Sequence, residues 1–139
     1  MQEAIDAAAA VSIHKLSTTT VNTNTGTKQS LYTVPSGKIF IPTHVVVRAA
    51  SADLSDMAGA LNFGFNANAD DCLTIPTDAL ASLSMSAKVI AMSLFMHPAA
   101  DNYTSFPRGA AADVFGCKFL DTSVTGTVKI DTFGYLLDA

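Results

Sequence analysis

Three histidines, two cysteines and one run of alternating Asn and Asp are the residues through which this chain could do chemistry. His14, His44 and His97 lie in three separate segments, with no His-x-His or His-x-x-x-His pair. A zinc site would have to be assembled wholly by the fold, because the local spacing that puts two imidazoles on one ion is missing. Glu3 is the only glutamate, so the clustered His and Glu ligands of a cupin-type site are missing too. His44 falls on the mixed face of an expected strand and reads as a structural or surface residue. Cys117 stands between Phe115 and Phe119 on another expected strand and has no neighbouring histidine to draw off its proton. It reads as core packing, and Cys72 and Cys117 together read as buried free thiols. Asn66-Ala67-Asn68-Ala69-Asp70-Asp71 places side-chain oxygens at alternate positions, the kind of spacing a hard cation such as calcium uses. The run lacks the glycine and distal glutamate of an EF-hand loop, and Asn and Asp are also ordinary turn formers. Asn66, Asn68, Asp70 and Asp71 are therefore the calcium candidates, and Asp53 and Asp56 read as a solvated loop. No nucleophile elbow, phosphate loop or dinucleotide fingerprint occurs. This inventory implies no catalytic residue and no cofactor.

The elements that would position these residues are strands. Residues 29–50 read as a strand, a tight turn through Pro35 and Gly37, and a second, long strand, a ribbon on which the rest of the chain is built. From Lys38 on, the odd positions Ile39, Ile41, Thr43, Val45, Val47 and Ala49 make one apolar face, and Lys38, Phe40, Pro42, His44, Val46 and Arg48 make a mixed one. Pro42 cannot donate to a ladder, so it implies a bulge, an edge or a crossing between sheets. Residues 1–10 are Ala-rich and would form at most a short helix, marginal without a partner. Residues 11–28 read as two weak strand segments and a loop. Further strands are expected over residues 60–65, 72–75, 88–96, 114–121 and 125–137, and a short helix over 76–83 capped by Thr77 or Asp78. Strand 88–96 and the end of strand 125–137 are apolar on both faces, a pattern of strands covered on both sides. Residues 97–113 form a long connection suited to an excursion or contact loop. The total is an all-β fold: an antiparallel two-sheet sandwich, jelly-roll-like, of about eight strands with one short helix. Residues 1–12 form an N-terminal arm and 13–139 the sandwich domain.

Composition narrows the function. Charged residues are 14% of the 139, well below the roughly 25% of ordinary soluble domains, while 49% are hydrophobic. Subunit interfaces are depleted in charge, so the deficit reads as surface given to other subunits. The net charge of −4 and the absence of a Lys/Arg cluster exclude a phosphate-tracking stripe, so nucleic acid is not an expected partner. No apolar run approaches the ~20 residues of a membrane-spanning helix, and Met1-Gln2-Glu3 does not open a secretory signal, so the expected site of synthesis is the cytoplasm.

Leu31-Tyr32-Thr33-Val34-Pro35-Ser36-Gly37-Lys38, running into residues 39–48, resembles the turn and long strand that open small β-sandwich structural proteins of tailed bacteriophages. Val128-Lys129-Ile130-Asp131-Thr132-Phe133-Gly134-Tyr135 is similar to the closing strand of such proteins. The resemblance implies a non-enzymatic virion component: a capsid decoration or minor capsid protein that self-associates, with a trimer favoured, and binds the major capsid protein. The alternatives are a neck, tail or fibre-attachment component, or a calcium-dependent carbohydrate-binding sandwich. Phe40, Val46, Phe133, Tyr135 and Leu137 are the expected contact residues, with residues 1–10 and 97–113.

Overall fold

The computed structural model describes residues 12–83, 89–93 and 108–139. Strands form where apolar and polar residues alternate: β1 (His14–Asn22), β2 (Gln29–Thr33), β3 (Lys38–Arg48), β4 (Leu61–Gly64), β5 (Leu73–Ile75), β6 (Val89–Ser93), β7 (Val114–Phe119) and β8 (Thr127–Asp138). Among the described residues there is one helix, α1 (Thr77–Ala81), which follows β5. β1 runs unbroken through Ser17-Thr18-Thr19-Thr20, where two weak segments were expected. The β-branched threonines sit well on a pleated surface once a partner strand is beside them.

Among the described residues all strand pairs are antiparallel and fall into two four-stranded sheets, ordered β1-β8-β3-β6 and β2-β7-β4-β5. The first strand thus pairs with the eighth, the second with the seventh, the third with the sixth and the fourth with the fifth. A long hairpin folded over on itself has this pairing, and it makes the sandwich a jelly roll. The expected ribbon of residues 29–50 is corrected here: β2 and β3 do not pair with each other. Their turn carries the chain from one sheet to the other, with Lys38 N–H donating to Pro35 C=O at 3.2 Å and Gly37 at φ 72°. Only a residue without Cβ takes that left-handed conformation cheaply.

The bulge expected at Pro42 is present, inside a central strand. Pro42 stands opposite Gly134 and His44 opposite Phe133, so Thr43 is the extra residue. A Cβ at Gly134 would overlap the Ile41 carbonyl, which explains a glycine in the middle of β8. The extra residue exchanges the two faces of β3. Beyond it Val45 and Val47 point inward as expected, but before it Phe40 and Pro42 are buried and Ile39 and Ile41 turn outward. Phe40, expected among the contact residues, is 0% exposed. It centres an aromatic cluster instead, with ring centroids 5.1 Å from Tyr32, 5.6 Å from Phe115 and 6.1 Å from Phe65. Buried aromatics of this kind contribute both area and edge-to-face contacts to the core.

The core between the sheets also takes Val21, Leu31, Leu61, Phe63, Phe119, Val128 and Ile130, with Leu54, Leu80 and Leu83 closing one side. α1 is shorter than expected, and its cap differs. Pro76 is the N-cap, and no side chain of Thr77 or Asp78 caps the first turn. The Lys28 ammonium donates to the carbonyls of Phe65 at 2.6 Å and Val114 at 2.7 Å, tying two chain crossings together. Gly109 pairs with Phe40 through two 2.9 Å backbone bonds, the one described anchor of the 97–113 connection on β3. Of that connection, residues 97–107, with His97, lie outside the described residues, as do residues 1–11 of the arm and 94–96 of the strand expected over 88–96.

Candidate functional site: the outer face of the first sheet

The face of the β1-β8-β3-β6 sheet that turns away from the core is built by register. Reading along the β3–β8 ladder, its cross-strand pairs are Ile39–Leu137, Ile41–Tyr135, His44–Phe133, Val46–Asp131 and Arg48–Lys129. The Pro42 bulge decides this set. Without it Ile39 and Ile41 would be inside. Val46, Phe133, Tyr135 and Leu137, expected as contact residues, are brought together here, each half-buried along two adjacent strands. Ile39 and Ile41 complete the stripe; parity reasoning misses them because it carries one alternation across the bulge.

The face has two halves. From Ile39 and Leu137 to His44 and Phe133 it is apolar, and the His44 imidazole lies flat on the Phe133 ring with centroids 4.3 Å apart and planes 13° from parallel. Burial pushes the His44 pKa below its ordinary value, since a desolvated imidazole favours its neutral form. From Val46 to Lys129 the face is polar. Asp131 is only 6% exposed there and is held by cations and a hydroxyl. Arg48 Nε donates to Asp131 Oδ2 at 2.7 Å and an Arg48 terminal nitrogen to Oδ1 at 3.2 Å; Thr18 Oγ1 donates to Oδ1 at 2.5 Å. The Lys15 ammonium stands 3.7 Å away. The Arg48 bonds, with help from Thr18, hold the Asp131 carboxyl down to about 2. A two-pronged arginine–carboxylate pair is the geometry in which such a bond is strongest.

The other candidate residues do not gather into a site. In the 66–71 loop, Asn66 Oδ1 accepts from Asp70 N–H and Asn66 Nδ2 donates to Asp70 Oδ1, while Asp71 Oδ1 accepts from Phe65 N–H. Asn68 Oδ1 accepts from Lys118 Nζ at 3.2 Å. The calcium candidates thus spend these oxygens on N–H donors, which gives the loop its shape. Among the described residues no group of three or more His, Cys, Asp or Glu could hold a metal ion. His14 is exposed on β1 opposite Gly134, with β8 between it and His44 opposite Phe133, and its ring nitrogen Nε2 lies 3.0 Å from Ser12 Oγ. Cys72 and Cys117 are free and buried. Burial raises the Cys117 thiol to about 12, and burial with the adjacent Asp71 carboxylate raises Cys72 as well, so both environments disfavour the thiolate. No helix among the described residues is long and apolar enough to cross a membrane.

No protein-family model matches the sequence, and no curated protein matches it. Among solved structures the chain is similar to a chain of the "Cyanophage Pam1 capsid asymmetric unit", at 17% identity and a TM-score of 0.51. The match covers 91% of this chain and 86% of that one, so the likeness extends over the whole sandwich. At that identity it establishes shared architecture.

Proposed function

We propose that the protein is a non-enzymatic structural component of a bacteriophage virion, a capsid decoration or minor capsid protein that associates with copies of itself and binds the major capsid shell. The observation that carries this reading is the outer face of the first sheet. Ile39, Ile41, Val46, Phe133, Tyr135 and Leu137 line two neighbouring strands there, on a chain with too few charges to dress a full surface in water. Apolar sheet faces of this extent are suited to packing on another protein. The likeness to a chain of a phage capsid asymmetric unit supports the same reading, as does the resemblance of the 31–38 turn and the closing strand to virion sandwiches. On this reading the chemistry of the protein is contact area. Phe133, Tyr135 and Leu137 pack on a neighbour and exclude water.

Size-exclusion chromatography with light scattering tests it. The expected mass is a small multiple of the chain mass, three being favoured. A single-chain mass at high micromolar concentration would overturn the self-association.

A further inference from the structure

The polar half of the outer face carries a surplus of positive charge. Lys15, Arg48 and Lys129 stand on three adjacent strands around one carboxylate, Asp131, and Lys129 is exposed. The chain as a whole is at −4, so the compensating negative charge lies elsewhere. One place is a corner of the second sheet, where β7 ends. Leu120, 55% exposed, is followed by Asp121, and the loop carrying Asp53 and Asp56 lies against them. Ala58 N–H donates to Asp121 Oδ2 at 2.7 Å, Leu120 N–H donates to Ala60 C=O at 3.0 Å, and Gly59 has no room for a Cβ beside Asp121. The corner is therefore a fixed shape, an apolar tip beside the Asp121 carboxylate, with Asp53 and Asp56 earlier in the loop that is tied to it. Among the described residues none of Asp53, Asp56 and Asp121 is within ion-pair distance of a cation.

Resting on the self-association reading, we infer that these two surfaces are made for each other in different copies: the Lys15, Arg48 and Lys129 half of one chain's outer face receives the Leu120 corner of the next, with its Asp53, Asp56 and Asp121. The occupant is a second copy because the same sequence supplies both an apolar-and-cationic face and an apolar-and-anionic tip. Opposed potentials across an interface fix register and reject wrong orientations. Such a contact is head-to-tail, since the surface given differs from the surface received, and head-to-tail contacts form rings when the rotation between copies closes. Here the two surfaces share one end of the sandwich. Ser51 N–H donates to Thr127 C=O at 2.9 Å and Thr127 N–H to Ser51 Oγ at 2.8 Å, which joins the stem of the acidic loop to β8 two residues before Lys129. Surfaces that meet around a corner, and do not lie at opposite ends, turn each added copy sharply and so suit a small ring over a filament.

Charge reversal tests this. Asp56 and Lys129 are both exposed, so Asp56→Lys and Lys129→Glu leave the core untouched. By sedimentation velocity, each single variant is expected to lose assembly at least about tenfold in concentration, with a steeper loss in salt for wild type than for either variant. The two reversals in one chain restore the wild-type oligomer. An equimolar mixture of the two single variants regains assembly by alternation, because the face of each variant matches the tip of the other, and only an even-numbered ring closes without a mismatched junction. Singles that assemble as wild type does would overturn the head-to-tail contact and leave self-association standing. A mixture that assembles no better than the single variants would overturn it likewise. A wild-type chain that never assembles would overturn both.

Discussion

His44 and Phe133 stack face to face across the β3–β8 ladder, 4.3 Å apart, immediately after the one-residue bulge at Thr43. The stack is the hinge between the apolar and polar halves of the outer face, and it makes a titratable group part of an otherwise greasy surface. The His44 pKa is depressed by burial, so the unfolded chain binds that proton more readily than the folded one. Stability is then complete above the ordinary value of 6.5 and declines as pH falls below it. His44→Phe keeps the stack and removes the proton, so the wild type should lose stability between neutral and mildly acid pH while this variant stays level. Urea midpoints at a series of pH values measure the difference; identical slopes for the two proteins would refute the assignment.

Asp131 acts lower on the pH scale. Its carboxyl, held by Arg48 and Thr18 at about 2 against an ordinary 3.8, favours the folded state above pH 4. That favour is lost as pH falls from about 4 toward 2, and the gap corresponds to about 2 kcal/mol. Asp131→Asn should lower stability at neutral pH by roughly that amount and flatten the acid limb, read by denaturant titration at pH 7, 4 and 2.

Phe40 and Leu137 stand close together in the sheet but face opposite ways. Phe40→Ala should cost about 3–5 kcal/mol of folding stability, as for other buried aromatics. Leu137→Ser or Tyr135→Ser should leave the melting temperature of a dilute sample nearly unchanged and weaken self-association. Comparing thermal melts with light scattering separates the two classes, and a Leu137→Ser chain that assembles normally would remove that residue from the contact.

Thr132 faces inward opposite Ser17, fully buried, and its hydroxyl has no hydrogen-bond partner among the described residues. Replacing a buried unpaired hydroxyl with a methyl of the same shape removes a desolvation cost of about 1 kcal/mol. Thr132→Val should therefore raise the denaturation midpoint by that amount.

Much of the architecture was legible because alternation and turn residues are local signals. The β-sandwich, the strand count, the helix after β5 and the bulge at Pro42 could all be read from neighbouring residues. Pairing could not. β2 and β3 read as one ribbon because a turn residue pattern reports that the chain reverses and is silent on whether the arms share a sheet. The facing of β3 failed for a related reason: Pro42 announces a bulge, but the position of the extra residue depends on Gly134 more than ninety residues away. That single displacement put Phe40 in the contact set and left Ile39 and Ile41 out. Asp131 was missed because its meaning lies in Arg48, Thr18 and Lys15, which only the β1-β8-β3 order brings to it.

That order also has a bearing on how the chain is made. β8 is the last of the eight strands to be synthesised, yet it lies between β1 and β3 and hydrogen-bonds to both. Until its twelve residues have emerged from the ribosome, the first and third strands have nothing to join them. Folding of the first sheet thus waits on the last-made of these strands and is dominated by distant contacts, the regime in which single domains fold slowly. A nascent chain halted before Thr127 would leave Val21 with no partner strand and Val45 and Val47 paired on one side only, with β6, and such chains belong to chaperones.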